Sequence, residues 1–437
     1  MKGWSRPPFQ KIRSRHAPNM SRNKLGGNVT KKLKERIFMI SIGIDVSKGK
    51  STVCFLKPGG EVLKTPFEVS HTKNALNELA DKIISYGEEA RVILENTGYY
   101  HWQVVKALVE RDIFVTAVNP LKMKKFCSQN LRKVKNDRID AIHIASFGLT
   151  YWQELTPLQT SSDTYRELLL LSRQYHNAVS LLIKAKLNLG NLLDQVMPGI
   201  KTIIKDENKS SKLAEFVKKY KHFEHIFSMG ETRFVRDFCK WSQKQGYRVD
   251  HERQAKMVFT LVQNGIPVLP NTPTTKIVVL EALRRVHELE NSREIILAQM
   301  TELGKTLPEY SLISEMKCIG EGLTPRIIAE IGDVRRFHSK HALIAYAGID
   351  APPYQSGSFN ASERHITKRG NKYLRKVIFE VSMSYIQHKP EGDPVFEFIE
   401  KKRSEGKCGK EAMVAGMNKF LRIYYGKVTE LYRNLEL

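Results

Sequence analysis

Asp137 and Asp140 stand three residues apart in a basic stretch, residues 131–142, whose pattern reads as a helix. That spacing puts both carboxylates on one helix face, about 5–6 Å apart at Cβ. Two such charges repel each other unless a cation lies between them, and carboxylate oxygens are the hard ligands that magnesium takes. Asp45 and Glu95, upstream, are the two acids that would complete a four-carboxylate site. Each acid alone has an ordinary use: Asp45 as a turn residue or helix cap, Glu95 as a strand-end charge, and the pair as a solvated helix face. Taken together in a strongly basic chain, they point to Mg2+ acting on a phosphodiester.

These acids need a scaffold, and the pattern from Met39 supplies one. Residues 40–46 read as a strand, and 51–56 and 61–69 as two more around the hairpin signal Pro58-Gly59-Gly60. A helix at about 72–87, a strand at 91–94, a helix at 100–111 and a strand at 113–118 follow. The helix of Asp137 and Asp140 then runs to about 148. A three-strand meander followed by alternating helix and strand is the order of the ribonuclease H-like fold. That fold carries one acid at the centre of its first strand, another at the end of a later strand, and the rest on a final helix. Asp45 and Glu95 occupy the first two places. Ile42-Gly43-Ile44-Asp45-Val46-Ser47 also resembles the first phosphate loop of actin-like sugar kinases, but the second phosphate loop and the adenosine motif those enzymes need are missing.

Residues 151–307 are expected to form a helical coiled-coil region. Leu168, Leu171, Tyr175, Ala178, Leu182, Ala185, Leu189, Leu192 and Val196 alternate spacings of three and four, after a capping pair at Thr164 and Glu167. A second seam runs through Val279, Ala282, Val286, Leu289, Ile296, Met300 and Leu303. Two readings stand: an internal hairpin in which the seams bury each other, or an arm that joins catalytic domains and helps subunits associate. The mostly helical region 308–437 opens on Ile319-Gly320-Glu321-Gly322-Leu323-Thr324, which resembles a helix-hairpin-helix element. Further on, Ser356 sits in a Pro- and Gly-rich turn with Arg364, Lys368, Arg369, Lys372 and Arg375 close behind. A turn serine beside guanidinium groups is suited to attack phosphorus, although most such serines only form turns.

The balance of 71 Lys and Arg against 46 Asp and Glu, a formal charge of +25 over 437 residues, calls for a polyanionic partner, nucleic acid first. Arg132, Lys133, Lys135, Arg364, Lys368, Arg369, Lys372 and Arg375 are the expected contacts. Residues 1–38 are polar and basic, and read as disordered alone or as a start-site artefact, with Met20 and Met39 as alternative starts. Five scattered cysteines without a C-x-x-C pair argue against a disulfide framework. With no apolar run long enough for a membrane, they point to a cytoplasmic protein.

From residue 39 onward the chain resembles the DEDD transposases of the insertion-sequence one-ten group, which include Piv/MooV-type DNA invertases. The matching residues are Gly43-Ile44-Asp45-Val46-Ser47-Lys48, Glu95-Asn96-Thr97-Gly98-Tyr99, Asn119-Pro120, Lys135-Asn136-Asp137-Arg138-Ile139-Asp140-Ala141, Tyr346-Ala347-Gly348-Ile349, Gln355-Ser356-Gly357 and Lys368-Arg369-Gly370-Asn371. Asn136 replaces the usual threonine. The resemblance implies a RuvC-like domain at 39–150 whose Asp45, Glu95, Asp137 and Asp140 hold magnesium. It also implies a C-terminal transposase domain with Ser356 as nucleophile. Donor and target DNA, a bridge RNA that selects them by base pairing, and a dimer to tetramer are implied as partners. The alternatives are a hydrolytic RuvC-like nuclease, such as a Holliday-junction resolvase, in which Ser356 is a turn residue, and a nucleic-acid-binding protein with a decayed site.

Overall fold

A computed structural model of the chain describes residues 39–96, 98–128, 136–158, 162–205, 211–352, 355–356, 359–360 and 365–436. The basic leader, residues 1–38, lies outside the described residues, as do Arg132, Lys133, Lys135 and Arg364. The chain divides into two units, with the boundary between Thr160 and Ser161.

The first unit is built on a five-stranded sheet: β1 (Met39–Ser47), β2 (Lys50–Lys57), β3 (Glu61–Ser70), β4 (Glu89–Glu95) and β5 (Phe114–Val118). Their order across the sheet is β3-β2-β1-β4-β5. The β1–β2 and β2–β3 pairs are antiparallel, whereas β4 runs parallel to both β1 and β5. This is the meander followed by crossovers that the pattern predicts. Gly59 and Gly60, both at positive φ, make the turn between β2 and β3. Helices α1 (Lys73–Ser85), α2 (His101–Val109), α3 (Pro120–Cys127) and α4 (Asp137–Thr150) complete the unit.

The two faces of β1 have different sequence character, and this decides where the helices go. Ile40, Ile42 and Ile44 are fully buried and share a core with Leu76, Leu79 and Ile83 of α1 and Val104, Val105 and Leu108 of α2. The alternate positions, Ser41, Gly43 and Asp45, face the other side, as the period of two requires. There α4 comes down onto the strand. The Ser41 hydroxyl donates to the Ala145 carbonyl at 2.7 Å. A Cβ on Gly43 would stand 2.1 Å from the Ala141 oxygen and 2.3 Å from the Ala145 nitrogen. Only glycine lets helix backbone approach strand backbone this closely.

The second unit contains two long helices, α5 (Asp163–Val196) and, after α6 (Ile200–Ile203), α7 (Lys212–Tyr220), α8 (Phe223–Met229), α9 (Glu231–Lys244) and α10 (His251–Asn264), α11 (Pro273–Lys305). The seams of α5 and α11 pack on each other within the chain: Leu182, Leu189 and Val196 share a core with Val279, Ala282 and Val286, while Leu168 and Tyr175 meet Met300. The pair is antiparallel, and Lys186 bridges to Glu290 at 2.6 Å. The internal-hairpin reading is therefore the one the described residues support. The cap differs from expectation: α5 begins at Asp163 with Ser162 at the N-cap, so Thr164 is already inside the helix. Helices α6 to α10 cover one end of the pair around Phe216, Tyr220, Phe234 and Phe238.

At the other end of that pair lie α12 (Glu309–Ser314), α13 (Thr324–Ile331), α14 (Lys340–Ala347), α15 (Lys372–His388), α16 (Pro394–Ser404) and α17 (Gly409–Leu435). Every residue of α13 is buried. Tyr310 of α12 and Ile328 of α13 share a core with Leu168 of α5 and Met300 of α11. The expected regions 151–307 and 308–437 thus meet in one apolar cluster. In the glycine loop before α13, the Gly320 carbonyl accepts the N–H groups of Leu323 and Thr324, so those two donors are committed within the chain. No described helix is long and apolar enough to cross a membrane.

Gly43→Ala is expected to lower unfolding stability by about 1–3 kcal/mol, the usual range for overpacking, because the helix must be pushed off the strand. Urea denaturation measures it. A neutral result would mean that α4 does not pack on β1 at this distance.

Candidate active site

Three elements bring the acids to one pole of the first unit. Asp45 is near the C-terminal end of β1, and Glu95 ends β4. The parallel register pairs Ile44 with Leu94, so Asp45 and Glu95 are the next residues along two adjacent strands and face the same side. Asp137 and Asp140 lie in the first turn of α4, the helix that rests on Gly43. The side chain of Asn136 accepts the Arg138 N–H at 2.8 Å and caps that helix. It therefore holds the turn that presents both aspartates.

Electrostatics places the acids more finely. Glu95 is partly buried, and its carboxyl is held above its ordinary 4.5, by burial first and by the charge of Asp140 second. The Cys127 thiol, at the end of α3, is also raised, by burial and then by Asp140 and Glu95. Glu95 and Asp140 thus act on each other and on a shared neighbour. Asp137 looks towards β2 and β3: the ammonium of Lys50 is raised first by its partner Glu68 at 2.7 Å and lastly by the charge of Asp137. A cleft of about 310 Å³ is lined by Asp137, Asn136, Arg138, Glu68 and Thr52, and Thr52 is the cross-strand partner of Asp45.

The donors suit a hard divalent cation, being carboxylates only. They do not form a closed cage, however. Among the described residues no three His, Cys, Asp or Glu are grouped closely enough to hold an ion. Mutual repulsion keeps such carboxylates apart, and they close only if a cation outweighs it. Their place in the helix also has a structural benefit, since acids in a first turn offset the helix dipole by about 0.3–1 kcal/mol each.

Just beyond Glu95, Tyr99 and Tyr100 are exposed, at 73% and 47%. Their aromatic faces stand near the acids in sequence and are available for stacking. Tyr99 already stands in the sequence motif, and an aromatic pair four residues after a strand-end acid is the signal that marks both for stacking.

The serine region belongs to the second unit. Gln355–Ser356 (β6) pairs antiparallel with Phe359–Asn360 (β7), Ser356 opposite Phe359. The hairpin grows from a stem formed by the end of α14 and the approach to α15. Lys368 N–H donates to the Gly348 carbonyl at 3.0 Å, and Asn371 N–H to the Tyr346 carbonyl at 2.6 Å. The Thr367 hydroxyl donates to Asp350 Oδ1 at 2.6 Å. Gly348 and Gly370 permit the crossing: a Cβ on Gly370 would meet the Tyr346 oxygen at 2.1 Å. Lys368, Arg369 and Lys372 are exposed. Arg375 is half-buried, and its guanidinium donates to the Ala347 carbonyl at 2.8 Å, so it braces the stem.

One buried acid went unnoticed in the sequence. Glu330 of α13 is 1% exposed. It accepts from the Ser172 hydroxyl and the Arg173 guanidinium of α5, both at 2.6 Å, and from Asn371 Nδ2 at 2.8 Å. Asn371 also caps α15 through the Tyr373 and Leu374 N–H groups. Glu330 therefore ties the long helix to the base of the serine hairpin. Nothing in the local sequence marks it, because its partners lie far away along the chain.

A family model for DEDD transposases of the IS110 group, described as "Transposase", matches residues 42–198. A second, described as "Transposase IS116/IS110/IS902 family", matches residues 310–397. The chain is similar to the pilin gene-inverting proteins of Moraxella bovis and Moraxella lacunata, each 24% identical over 400 residues that cover 89% of this chain and 95% of the relative. Among solved structures it is similar to Thermus thermophilus RuvC, with 15% identity, a TM-score of 0.22, and coverage of 28% of this chain and 100% of that one. T. thermophilus RuvC in complex with a Holliday junction substrate gives 14% identity, a TM-score of 0.22, and coverage of 28% and 99%.

Two outcomes follow from the acids. A carboxyl raised on folding contributes stability that is fully present below its unfolded value and lost as pH rises through its folded value. Without added metal, Glu95→Gln should therefore unfold later than the wild type at neutral pH, and the difference should vanish as pH falls below the ordinary carboxylate range. Thermal melts across pH check this, and a neutral-pH loss would contradict the raised value. Asp140→Asn should change metal-free stability by less than about 1 kcal/mol, since lost dipole stabilisation offsets relieved repulsion. A loss of several kcal/mol would make the acid structural.

Proposed function

Because the chain belongs to the IS116/IS110/IS902 transposase family, a family of DNA transposases and recombinases, we propose that it cuts and rejoins DNA with a metal-holding set of acids and a serine nucleophile. Asp45, Glu95, Asp137 and Asp140 are the acids and Ser356 is the nucleophile. The observation that carries this reading is the convergence of β1, β4 and the first turn of α4 on one acidic pole. Asp45, Glu95, Asp137 and Asp140 would hold Mg2+, two ions per site. When bound, such ions stabilise the charge on a five-coordinate phosphorus and on the leaving oxygen.

The chain's own residues do the rest. The Ser356 hydroxyl attacks the scissile phosphorus: its Oγ–P bond forms, the P–O3′ bond breaks, and the serine proton ends on the departing 3′ oxygen. The phosphoserine ester keeps the bond energy available for rejoining. Lys368, Arg369 and Lys372, exposed at the hairpin stem, neutralise the phosphoryl oxygens. Arg132, Lys133, Lys135 and Arg364 belong to the same basic complement. Exposed Tyr99 and Tyr100 suit base stacking near the acidic pole.

The partners proposed are donor and target DNA, with a bridge RNA that chooses sequence by base pairing while the protein contributes charge and shape. Assembly as a dimer to tetramer is supported by apolar side chains left exposed on the long helices, Leu170, Leu181 and Leu187 on α5 and Ile277 and Ile295 on α11. The related reading, a hydrolytic nuclease or junction resolvase, rests on the acids alone.

Incubation with magnesium, labelled element-end DNA and the adjacent RNA, followed by denaturation, separates the two. A covalent DNA–protein adduct is expected from the wild type and should be absent from Ser356→Ala. Nicked DNA ends without any adduct would favour the hydrolase, and an adduct that persists in Ser356→Ala would remove the serine from the chemistry. Cleavage should also weaken as pH falls into the carboxylate range, because protons compete with the metal for these carboxylates.

A further inference from the structure

A groove of about 970 Å³ opens in the second unit between α16, α17 and the stem of the serine hairpin. Its floor is apolar, formed by Ile349, Ile366, Val414 and Ile423. Six lysines and arginines line it, Lys340, Lys402, Lys407, Lys410, Lys419 and Arg422, against one acid, Glu411. Among the described residues only two of the six have a carboxylate partner: Lys402 with Glu405 at 2.6 Å, and Lys407 with Glu411 at 3.8 Å. Exposed pairs of this kind hold weakly and can be exchanged for phosphate.

One aromatic ring stands among these cations. Phe398 of α16 is half-buried, with Lys402 Nζ 5.4 Å and Lys419 Nζ 5.9 Å from its centroid. A ring flanked by ammonium groups over an apolar floor is a stacking platform with phosphate sites beside it. The location is equally informative. Ala351 and His365 line the groove, and they bracket the segment that carries Ser356. The Asp350–Thr367 bond closes that segment at its base.

We propose that this groove holds an unpaired DNA strand next to the phosphate that Ser356 attacks. One base stacks on Phe398, and the strand's phosphates lie along Lys410, Lys419 and Arg422. Duplex DNA would use the charged rim but not the apolar floor, since its bases stay stacked on one another. A small anion would need neither floor nor ring. DNA rather than RNA follows from the adjoining serine segment, so the placement rests on the reading of Ser356 as nucleophile, while the binding chemistry does not.

Fluorescence anisotropy on the full chain tests this, with labelled oligothymidylate, a mixed-sequence duplex of equal length, and oligouridylate. Phe398→Leu keeps the apolar volume and removes the stacking face. It is expected to weaken oligothymidylate binding by about five- to hundred-fold, the span of one lost base stack, while duplex binding stays unchanged. Replacing Lys410 and Arg422 with alanine together should flatten the salt dependence of log K by about 1.4, or 0.7 for each phosphate contact. In Phe398→Trp, the new indole should be quenched by oligothymidylate and not by duplex. Equal losses on duplex and single strand would overturn the proposal in favour of a general basic surface. A loss confined to oligouridylate would make this an RNA groove, and no loss at all would remove nucleic acid from it. The serine reading is scored separately. Selective single-strand binding without any covalent adduct means that only that reading fails, and wild-type binding and adduct yield in Phe398→Leu mean that only the groove fails.

Discussion

The acidic pole depends on a backbone-to-backbone contact, α4 against β1 at Gly43. A helix that packs on a sheet through ordinary side chains stands well away from it, and acids at its first turn would then hang over solvent. Here Ser41 and Gly43 are small enough for the helix to settle directly on the strand, and Ser41 bonds the Ala145 carbonyl. Asp45 continues the same face. The three-residue progression Ser41, Gly43, Asp45 is therefore both the seat of the helix and the approach to the site.

The second unit relies on a different constraint, the need to satisfy buried charge. Glu330 is partnered by Ser172, Arg173 and Asn371. Glu309, also 1% exposed, accepts from the Tyr165 and Tyr432 hydroxyls at 2.6 Å each. Removing one partner from such a site strands a charge in low dielectric, which costs far more than the intact pair contributes. Each carboxylate thus forces three elements into one register: α5, α13 and the cap of α15 around Glu330, and α5, α12 and α17 around Glu309. The serine hairpin grows from the first of these junctions. Its base is held by the bond between Glu330 and Asn371.

Much of this was legible in the chain. The alternation of Ile40, Ile42 and Ile44 with small or polar residues announced a strand with two distinct faces, and Pro58-Gly59-Gly60 announced its hairpin. The heptad spacings of α5 and α11 announced two long helices, because local periodicity is all a helix needs. Whether those seams would face each other or another subunit was not legible, since both choices bury the same residues. Thr164 looked like the cap of α5 because it precedes a glutamate by three, yet Ser162 holds the position. Arg375 looked like one more cation in a basic run, and its donation to the Ala347 carbonyl could not be foreseen without the stem that places that carbonyl beside it.

By itself the sequence determined which residue types were available for chemistry and on which elements they ride: acids on two strands and a helix, a serine in a turn, cations around it. Those are local properties, carried by spacing and side-chain type. Tertiary structure decided the distances. It brought Asp45 and Glu95 into adjacent register and raised the carboxyl of Glu95, by burial first and by Asp140 second. It turned Gly370 from a flexible position into a required one, and gathered Phe398, Lys410 and Arg422 around one apolar floor. Electrostatic coupling and close approach depend on separation in space, and the order of residues along the chain does not specify that until the core has packed.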